Sequence, residues 1–203
     1  MNIAFLKDKE ITKRLIYNLS SRRAVEVVKK IEPYLLYART IIDIGAGTCN
    51  VAELLSEKGF LLQPVDVKNL SFVKNYQPII FNGTTLPFLD NSFDSALLLD
   101  VLHHTSNPEQ LLQEAKRVAN SVLVMESAYN CIPQKVMFLI IDSFLNMEFL
   151  NHPWNYRTDE QWQLLFRQLG FRIAKSASAR FWFLFQSQTY VLEKYKCNFG
   201  AIN

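Results

Sequence analysis

Three acidic residues in the first half of the chain, Asp43, Asp66 and Asp100, each lie at or near the end of an apolar run. The first stands two residues before a pair of glycines in IIDIGAGTCN, residues 41–50. A glycine has no Cβ, so the backbone there can turn sharply and a ligand can come close to it. Gly45, Ala46 and Gly47 could therefore cradle a nucleotide-like group on main-chain atoms. A pyrophosphate is a poor occupant, because the dinucleotide fingerprint needs a third glycine where this chain has Asn50, and the Asp43 carboxylate would repel it. That carboxylate suits a ligand carrying an ammonium group, such as the methionine end of S-adenosylmethionine. Asp66 follows the turn by about 20 residues, the spacing at which an acid bonds the ribose hydroxyls of an adenosine. Taken alone, the two glycines fit a plain strand-to-helix turn equally well.

Two histidines come directly after the third acid, in DVLHH at residues 100–104. A neutral imidazole at His103 or His104 could take a proton from a hydroxyl acceptor. The structural alternative has one ring packed under the following loop and the other exposed. Further on, His152, Trp154 and Tyr156 form an aromatic loop that could line an acceptor pocket.

The elements needed to position these residues can be read from periodicity. Ile41, Ile42 and Ile44 make a short β-branched strand, and Val51, Ala52, Leu54 and Leu55 follow at helical spacing up to Gly59, a left-handed helix stop. Phe60 to Val65 predicts a second strand ending at Asp66, Pro78 to Phe81 a third, and Phe93 to Leu99 a fourth that runs into Asp100. Ser21 to Ile31 predicts an N-terminal helix broken after Pro33. Thr158 is a good N-cap for a helix over 159–169, with acidic residues in its first turn and Arg167 in its last. Phe171 to Lys175 and Phe181 to Val191 then read as a late hairpin. The order is that of a doubly wound α/β sheet.

At Thr85 to Val118, TLPFLDNSFDSALLLDVLHHTSNPEQLLQEAKRV, the chain resembles the class I S-adenosylmethionine-dependent methyltransferases, in the type-11 branch that includes quinone-biosynthesis enzymes. The motif of that branch is present as Leu86-Pro87-Phe88, Ser92-Phe93-Asp94, Asp100-Val101-Leu102-His103-His104, Pro108 and Arg117-Val118. With the glycine turn, the resemblance covers about Thr40 to Glu126. It implies a single Rossmann-like, mostly parallel seven-stranded sheet, with helices on both faces and an antiparallel C-terminal strand. It divides the domain into a helical cap at 1–35, a cofactor-binding core at 40–126, a lid or substrate segment at 127–160, and a helix with hairpin at 161–195. S-adenosyl-L-methionine is the implied cofactor and S-adenosyl-L-homocysteine its product.

The resemblance also implies site roles. Gly45, Ala46 and Gly47 hold the methionine end, with Asp43 assisting. Asp66 takes the ribose, and Asn82, Gly83 and Thr84 the adenine edge. Val67 and Leu86 pack on the adenine face, and Leu99 and Asp100 close the fourth strand beside the reacting centre. Two departures stand out. Cys49 replaces the third glycine of the family's turn, putting a side chain where the cofactor would approach. Asn82 replaces an Asp that accepts from the adenine amino group, a job its amide oxygen could still do. The glycine-rich turn after Val118 is absent.

Composition bounds the remainder. The 203 residues, 49% apolar and 20% charged, suffice for one globular domain with a sizeable core. The balance of 22 basic against 19 acidic residues gives no strong attraction to nucleic acid. The basic runs at Arg22-Arg23 and Lys29-Lys30 read as the wet face of a helix. Three scattered cysteines, Cys49, Cys131 and Cys197, have no metal-binding spacing. Their odd count fits a reduced cytosolic compartment, and no signal peptide or metal site is expected. The apolar stretch Val136 to Leu150 is too short and too charged to span a membrane; core packing, a substrate lid, a homodimer contact and a membrane-surface contact all fit it. An element for methylating DNA bases is missing after the fourth strand, so the expected acceptor is a small molecule, apolar or aromatic. A non-catalytic cofactor-binding protein and a nucleotide-cofactor oxidoreductase are the competing readings.

Overall fold

The computed structural model describes residues 10–137, 139, 155–181 and 185–195. Seven strands form one sheet: β1 (Thr40–Ile44), β2 (Leu61–Asp66), β3 (Ile79–Ile80), β4 (Phe93–Leu99), β5 (Ala119–Ala128), β6 (Phe171–Phe181) and β7 (Phe185–Lys194). Their order across the sheet is β3-β2-β1-β4-β5-β7-β6. The first five run parallel, whereas β7 is antiparallel to both β5 and β6. Ile44 lies level with Val65 on one side and Leu98 on the other, so the loops after β1, β2 and β4 open on the same edge. That is where open α/β sheets bind ligands, outside the carboxyl ends of the strands.

Strand alternation assigns each apolar residue to one of two cores. Ile42, Ile44, Ala96, Leu98, Val122 and Val124 face α3 (Pro108–Val118) and α4 (Asp159–Gln168), which bury Leu112, Ala115, Trp162 and Phe166 against them. Ile41, Leu97, Leu123 and Met125 face α1 (Glu10–Ile31) and α2 (Asn50–Glu57), packed under Val28, Ile31 and Leu55. Each such side chain contributes about 1.5–3 kcal/mol when fully buried. Asp43 is on the second of these faces, between Ile41 and the turn.

The predicted doubly wound sheet is present, with differences at its margins. The third strand is two residues long rather than four, because Pro78 has no N–H to give and only Ile79 and Ile80 pair with β2. The fifth strand begins at Ala119, directly after the last helical residue, which the missing glycine turn makes possible. The late hairpin is longer than predicted. Its polar run Ser176–Ala179 reads as a loop by composition, yet main-chain pairing to β7 carries it as an exposed edge strand. The N-terminal helix starts eleven residues before the predicted Ser21. Thr158 and Gln161 complete the capping box of α4, through bonds of 3.2 Å and 3.0 Å between each side chain and the other's N–H. Most of the apolar stretch 136–150 lies outside the described residues. Among those residues no helix is long and apolar enough to cross a membrane.

Candidate cofactor site

Each glycine of the turn after β1 has its own job. Gly45 has φ +76°, and a Cβ there would stand 2.6 Å from Val101 Cγ2, so the turn packs directly on the loop that follows β4. Gly47 has φ +52°, and its Cβ position has nothing nearer than the Gly45 oxygen at 4.0 Å. The turn is therefore open at Gly47. Its N–H groups are tied to β2: Gly45 N and Ala46 N both donate to the Val65 oxygen, at 2.9 and 3.1 Å, and Gly47 N donates to Asp66 Oδ2 at 2.8 Å. Asp66 is buried, and its other oxygen accepts Lys68 N at 3.2 Å.

Cys49 adopts φ +60°, the left-handed conformation of the glycine it replaces, at a cost of about 1–2 kcal/mol for an L-residue. Its side chain is fully buried. The thiol packs into the protein, its Sγ 4.0 Å from the Gly47 oxygen.

Carboxylates occupy the same end of four neighbouring strands. Asp43 on β1 is buried, and its Oδ2 has no hydrogen-bond partner among the described residues. Burial, and secondarily the nearby Asp66 charge, push its carboxyl up to about 7. Asp66 closes β2. Asp100, just past β4, has φ +56° and meets Arg23 of α1, with Nη2 2.7 Å from its Oδ2, while its Oδ1 is buried without a partner among the described residues. Glu126 on β5 is wholly buried. Its Oε1 accepts Val101 N and Leu102 N at 2.8 and 2.6 Å, and its Oε2 lies 2.6 Å from His103 Nδ1. Burial raises the Glu126 carboxyl above the ordinary glutamate value, opposed by the adjacent imidazole.

The two histidines differ in burial, although His104 is not the exposed ring of the structural alternative. His103 is buried, and its ring stacks on Tyr156 with centroids 4.7 Å apart, while His104 is half-buried with its ring 3.9 Å from that of His103. Asn155 N donates to the His103 oxygen at 3.1 Å, fastening the aromatic loop to the same spot. His152 and Trp154 lie outside the described residues. Donor atoms of Asp100, His103 and Glu126 fall within 4.8 Å of one another, a spacing a metal ion could use. Both Glu126 oxygens and Asp100 Oδ2 are already engaged, so the group is better described as a hydrogen-bonded network.

On the other side of the turn, exposed Val67 sits against Gly83, where a Cβ would come 3.3 Å from Val67 Cγ1. Thr84 is half-buried beside it, and Leu99 ends β4 half-buried. Two expectations need correction. Asn82 Oδ1 already accepts Thr84 N, Thr84 Oγ1 and Thr85 N at 2.9, 2.9 and 2.8 Å. An oxygen that shapes its own loop in this way has no capacity left for an adenine amino group. Leu86 is buried in the core, its N–H donating to Glu114 Oε2 at 2.8 Å, rather than facing a ligand.

Glu126 and Arg23 were not anticipated as site residues. A single charge inside the buried strand VLVMESA was the available signal for Glu126. Arg23, read as part of a wet helix face, is indeed exposed, but its partner is 77 residues away and no local pattern could supply it.

Comparison with known proteins agrees with this geometry. Residues 42–122 match the family model of a methyltransferase domain, type 11. An uncharacterized protein of Methanocaldococcus jannaschii, MJ1123, is 32% identical over 77 residues, which is 38% of this chain and 38% of the relative, so the chain spans well under half of that protein's length. A crystal structure of a SAM-dependent methyltransferase from Methanosarcina mazei superposes with a TM-score of 0.65 at 17% identity, covering 81% of this chain and 96% of the other. Magnesium protoporphyrin IX methyltransferase from Synechocystis PCC 6803, crystallised with bound SAH, gives a TM-score of 0.61 at 15% identity over 92% and 88% of the two chains. At such identities the structures show a common fold. The glycine turn, Asp66 and the histidine loop all lie within the stretch, residues 42–122, that is similar to a methyltransferase domain.

Proposed function

We propose that this protein transfers the methyl group of S-adenosylmethionine to a small-molecule acceptor, apolar or aromatic in character. The observation that carries this reading is the row of carboxylates, Asp43, Asp66, Asp100 and Glu126, at one end of β1, β2, β4 and β5 beside a turn left open at Gly47. Acids so placed favour a ligand with a sulfonium and an ammonium group and disfavour the pyrophosphate of a nicotinamide dinucleotide. The unpartnered Asp43 oxygen and the space at Gly47 fit such a group.

The cofactor supplies an electrophilic methyl carbon, leaving the protein to bind, align and exclude water. Gly45, Ala46 and Gly47 receive the methionine end, with Asp43 below it. Asp66 turns its oxygens to the ribose while steadying the Gly47 N–H. Val67 and Gly83 offer a face to the adenine, and Gly83 and Thr84 line its edge. Glu126 holds the His103 ring, whose stacking partner Tyr156 also borders an open hollow with Tyr129, Lys135, Arg157 and Leu164. That aromatic margin supports an apolar or ring-bearing acceptor, as does the likeness of the 85–118 motif to the quinone-biosynthesis branch. The odd cysteine count, with Cys49 buried, supports a reducing cytosol.

A screen for transfer of labelled methyl from S-adenosylmethionine into cell extracts tests the reading. The wild type is expected to label a small molecule and Asp66→Ala to lose most of that labelling. Equal labelling by both proteins would remove Asp66 from the site, and labelling confined to DNA or RNA would overturn the acceptor class.

A further inference from the structure

The row of carboxylates ends with Glu126, and a little further along the chain the character of the surface reverses. Ala128, the last residue of β5, forms a parallel bridge with Arg157, which brings the start of α4 against the end of the sheet. Beside that bridge lies a hollow of about 260 Å³, walled by Tyr129, Tyr156, Leu164 and Leu165 together with Lys135 and Arg157. No carboxylate lines it among the described residues. Tyr129 and Tyr156 form a small buried cluster separate from both cores of the sheet, so their rings are not spent on joining the layers. The two cations differ. Arg157 Nη2 donates to Glu109 Oε1 at 2.8 Å and its guanidinium carbon lies 5.3 Å from the centre of the Trp162 ring, which holds the group in place and leaves it further N–H groups to give. Lys135 Nζ lies 5.3 Å from the centre of the Tyr129 ring and has no carboxylate partner among the described residues. An ammonium group resting on a ring in this way is available to an anion.

We propose that this hollow receives the methyl acceptor and selects a small aromatic carboxylate, with the ring against Tyr129, Tyr156 and Leu164 and the carboxylate on Lys135 and Arg157. The inference deepens the methyl-transfer reading above and rests on it. The volume is just below the range usual for drug-sized ligands, which limits the occupant to one or two rings. Tyr156 connects the hollow to the cofactor edge, because its ring also stacks on His103, which Glu126 holds beside the end of β4. Charge then sorts the two ligands. Asp43, Asp66, Asp100 and Glu126 draw a sulfonium compound and repel an anion, whereas two cations without a carboxylate among them do the opposite.

The test measures binding of naphthoate and of naphthalenemethanol, which has the same rings and no charge, by calorimetry with S-adenosylhomocysteine present in excess. Wild type is compared with Lys135→Met, which keeps the length of the side chain, and with Lys135→Arg. Wild type should bind naphthoate about 10-fold more tightly than the alcohol. Lys135→Met should lose that preference and Lys135→Arg should keep it, with the alcohol bound equally by all three proteins. No preference in wild type, no binding of either compound, or an undiminished preference in Lys135→Met would overturn the proposal. A matching loss of both compounds in Lys135→Met would overturn it too, by showing that Lys135 only shapes the wall. S-adenosylhomocysteine titrated by itself keeps the two failures apart. Heat from it without a preference for naphthoate removes the hollow and leaves the cofactor site standing, whereas a preference without that heat leaves an anion-binding hollow and removes the methyl-transfer reading.

Discussion

Glu126 and His103 are joined by a 2.6 Å bond in a part of the protein closed to solvent, and the same carboxylate anchors the backbone of Val101 and Leu102 through its other oxygen. One side chain thus fixes both the histidine ring and the loop that carries it. With the carboxylate as acceptor, His103 Nδ1 keeps the proton and Nε2 becomes the basic nitrogen of the neutral ring. Truncating Glu126 strands three donors, so Glu126→Ala should cost about 3–5 kcal/mol of folding stability, measured by urea denaturation. Glu126→Gln keeps an oxygen for the two N–H groups and should cost about 1–2 kcal/mol. Equal losses in the two variants would show that backbone anchoring is not what Glu126 does.

Asp43 predicts a pH dependence whose sign can be worked out. Its carboxyl is raised from 3.8 in the unfolded chain to about 7 in the fold. Between those values the folded protein holds a proton that the unfolded chain has released. The stabilising contribution is therefore complete below 3.8 and is lost as pH climbs to about 7, a change on the order of 4 kcal/mol. Asp43→Asn removes the buried charge. Its melting temperature should match wild type near pH 4 and exceed it at pH 8, and a constant difference across that range would contradict the burial of the charge.

The two turn glycines should fail differently. Gly45→Ala puts a methyl into Val101 at a left-handed backbone position, and should cost about 2–4 kcal/mol and lower the melting temperature. Gly47→Ala meets only the cost of φ +52°, about 1 kcal/mol, but fills the open side of the turn. It should fold and lose cofactor affinity. If Gly47→Ala bound as tightly as wild type, the cradle would have been misplaced.

Arg117 ties the family-like motif together from the opposite end of the sheet. It donates to the Leu86 and Phe88 oxygens at 3.0 and 2.7 Å and pairs with Asp90 and Glu114 at 2.8 Å each, while Leu86 N donates back to Glu114. Arg117→Met should lower stability by about 2–3 kcal/mol while leaving cofactor affinity unchanged wherever the protein remains folded. A calorimetric loss of affinity at a temperature where the variant is fully folded would refute this division.

That motif shows what a sequence can and cannot disclose. Leu86, Phe88, Asp94 and Arg117 signalled the fold because they build it: Asp94 accepts Arg39 N and Thr40 N at 2.9 Å each, locking the starts of β1 and β4, at the other end of these strands from the glycine turn. Strand positions were legible because β-branched runs and glycine stops are local signals. The exact margins of β3, β6 and β7 were not, since edge pairing depends on main-chain partners that composition does not name. The turn after β1 and the place of Asp66 at the end of β2 were legible through local glycine and strand signals. Arg23 was not, because its meaning comes from a helix crossing 77 residues of chain, and Asn82 misled because its oxygen turns inward to Thr84 and Thr85.

The most direct measurement is a calorimetric titration of the purified protein, stripped of any retained ligand, with S-adenosylmethionine and S-adenosylhomocysteine, repeated with Asp66→Ala. Wild type should bind both, and Asp66→Ala should bind both at least about 10-fold more weakly, since the proposal gives Asp66 the ribose and the structure gives it the Gly47 N–H. No heat from wild type with either compound, at concentrations well above micromolar, would contradict the assignment of this edge of the sheet to a methyl donor.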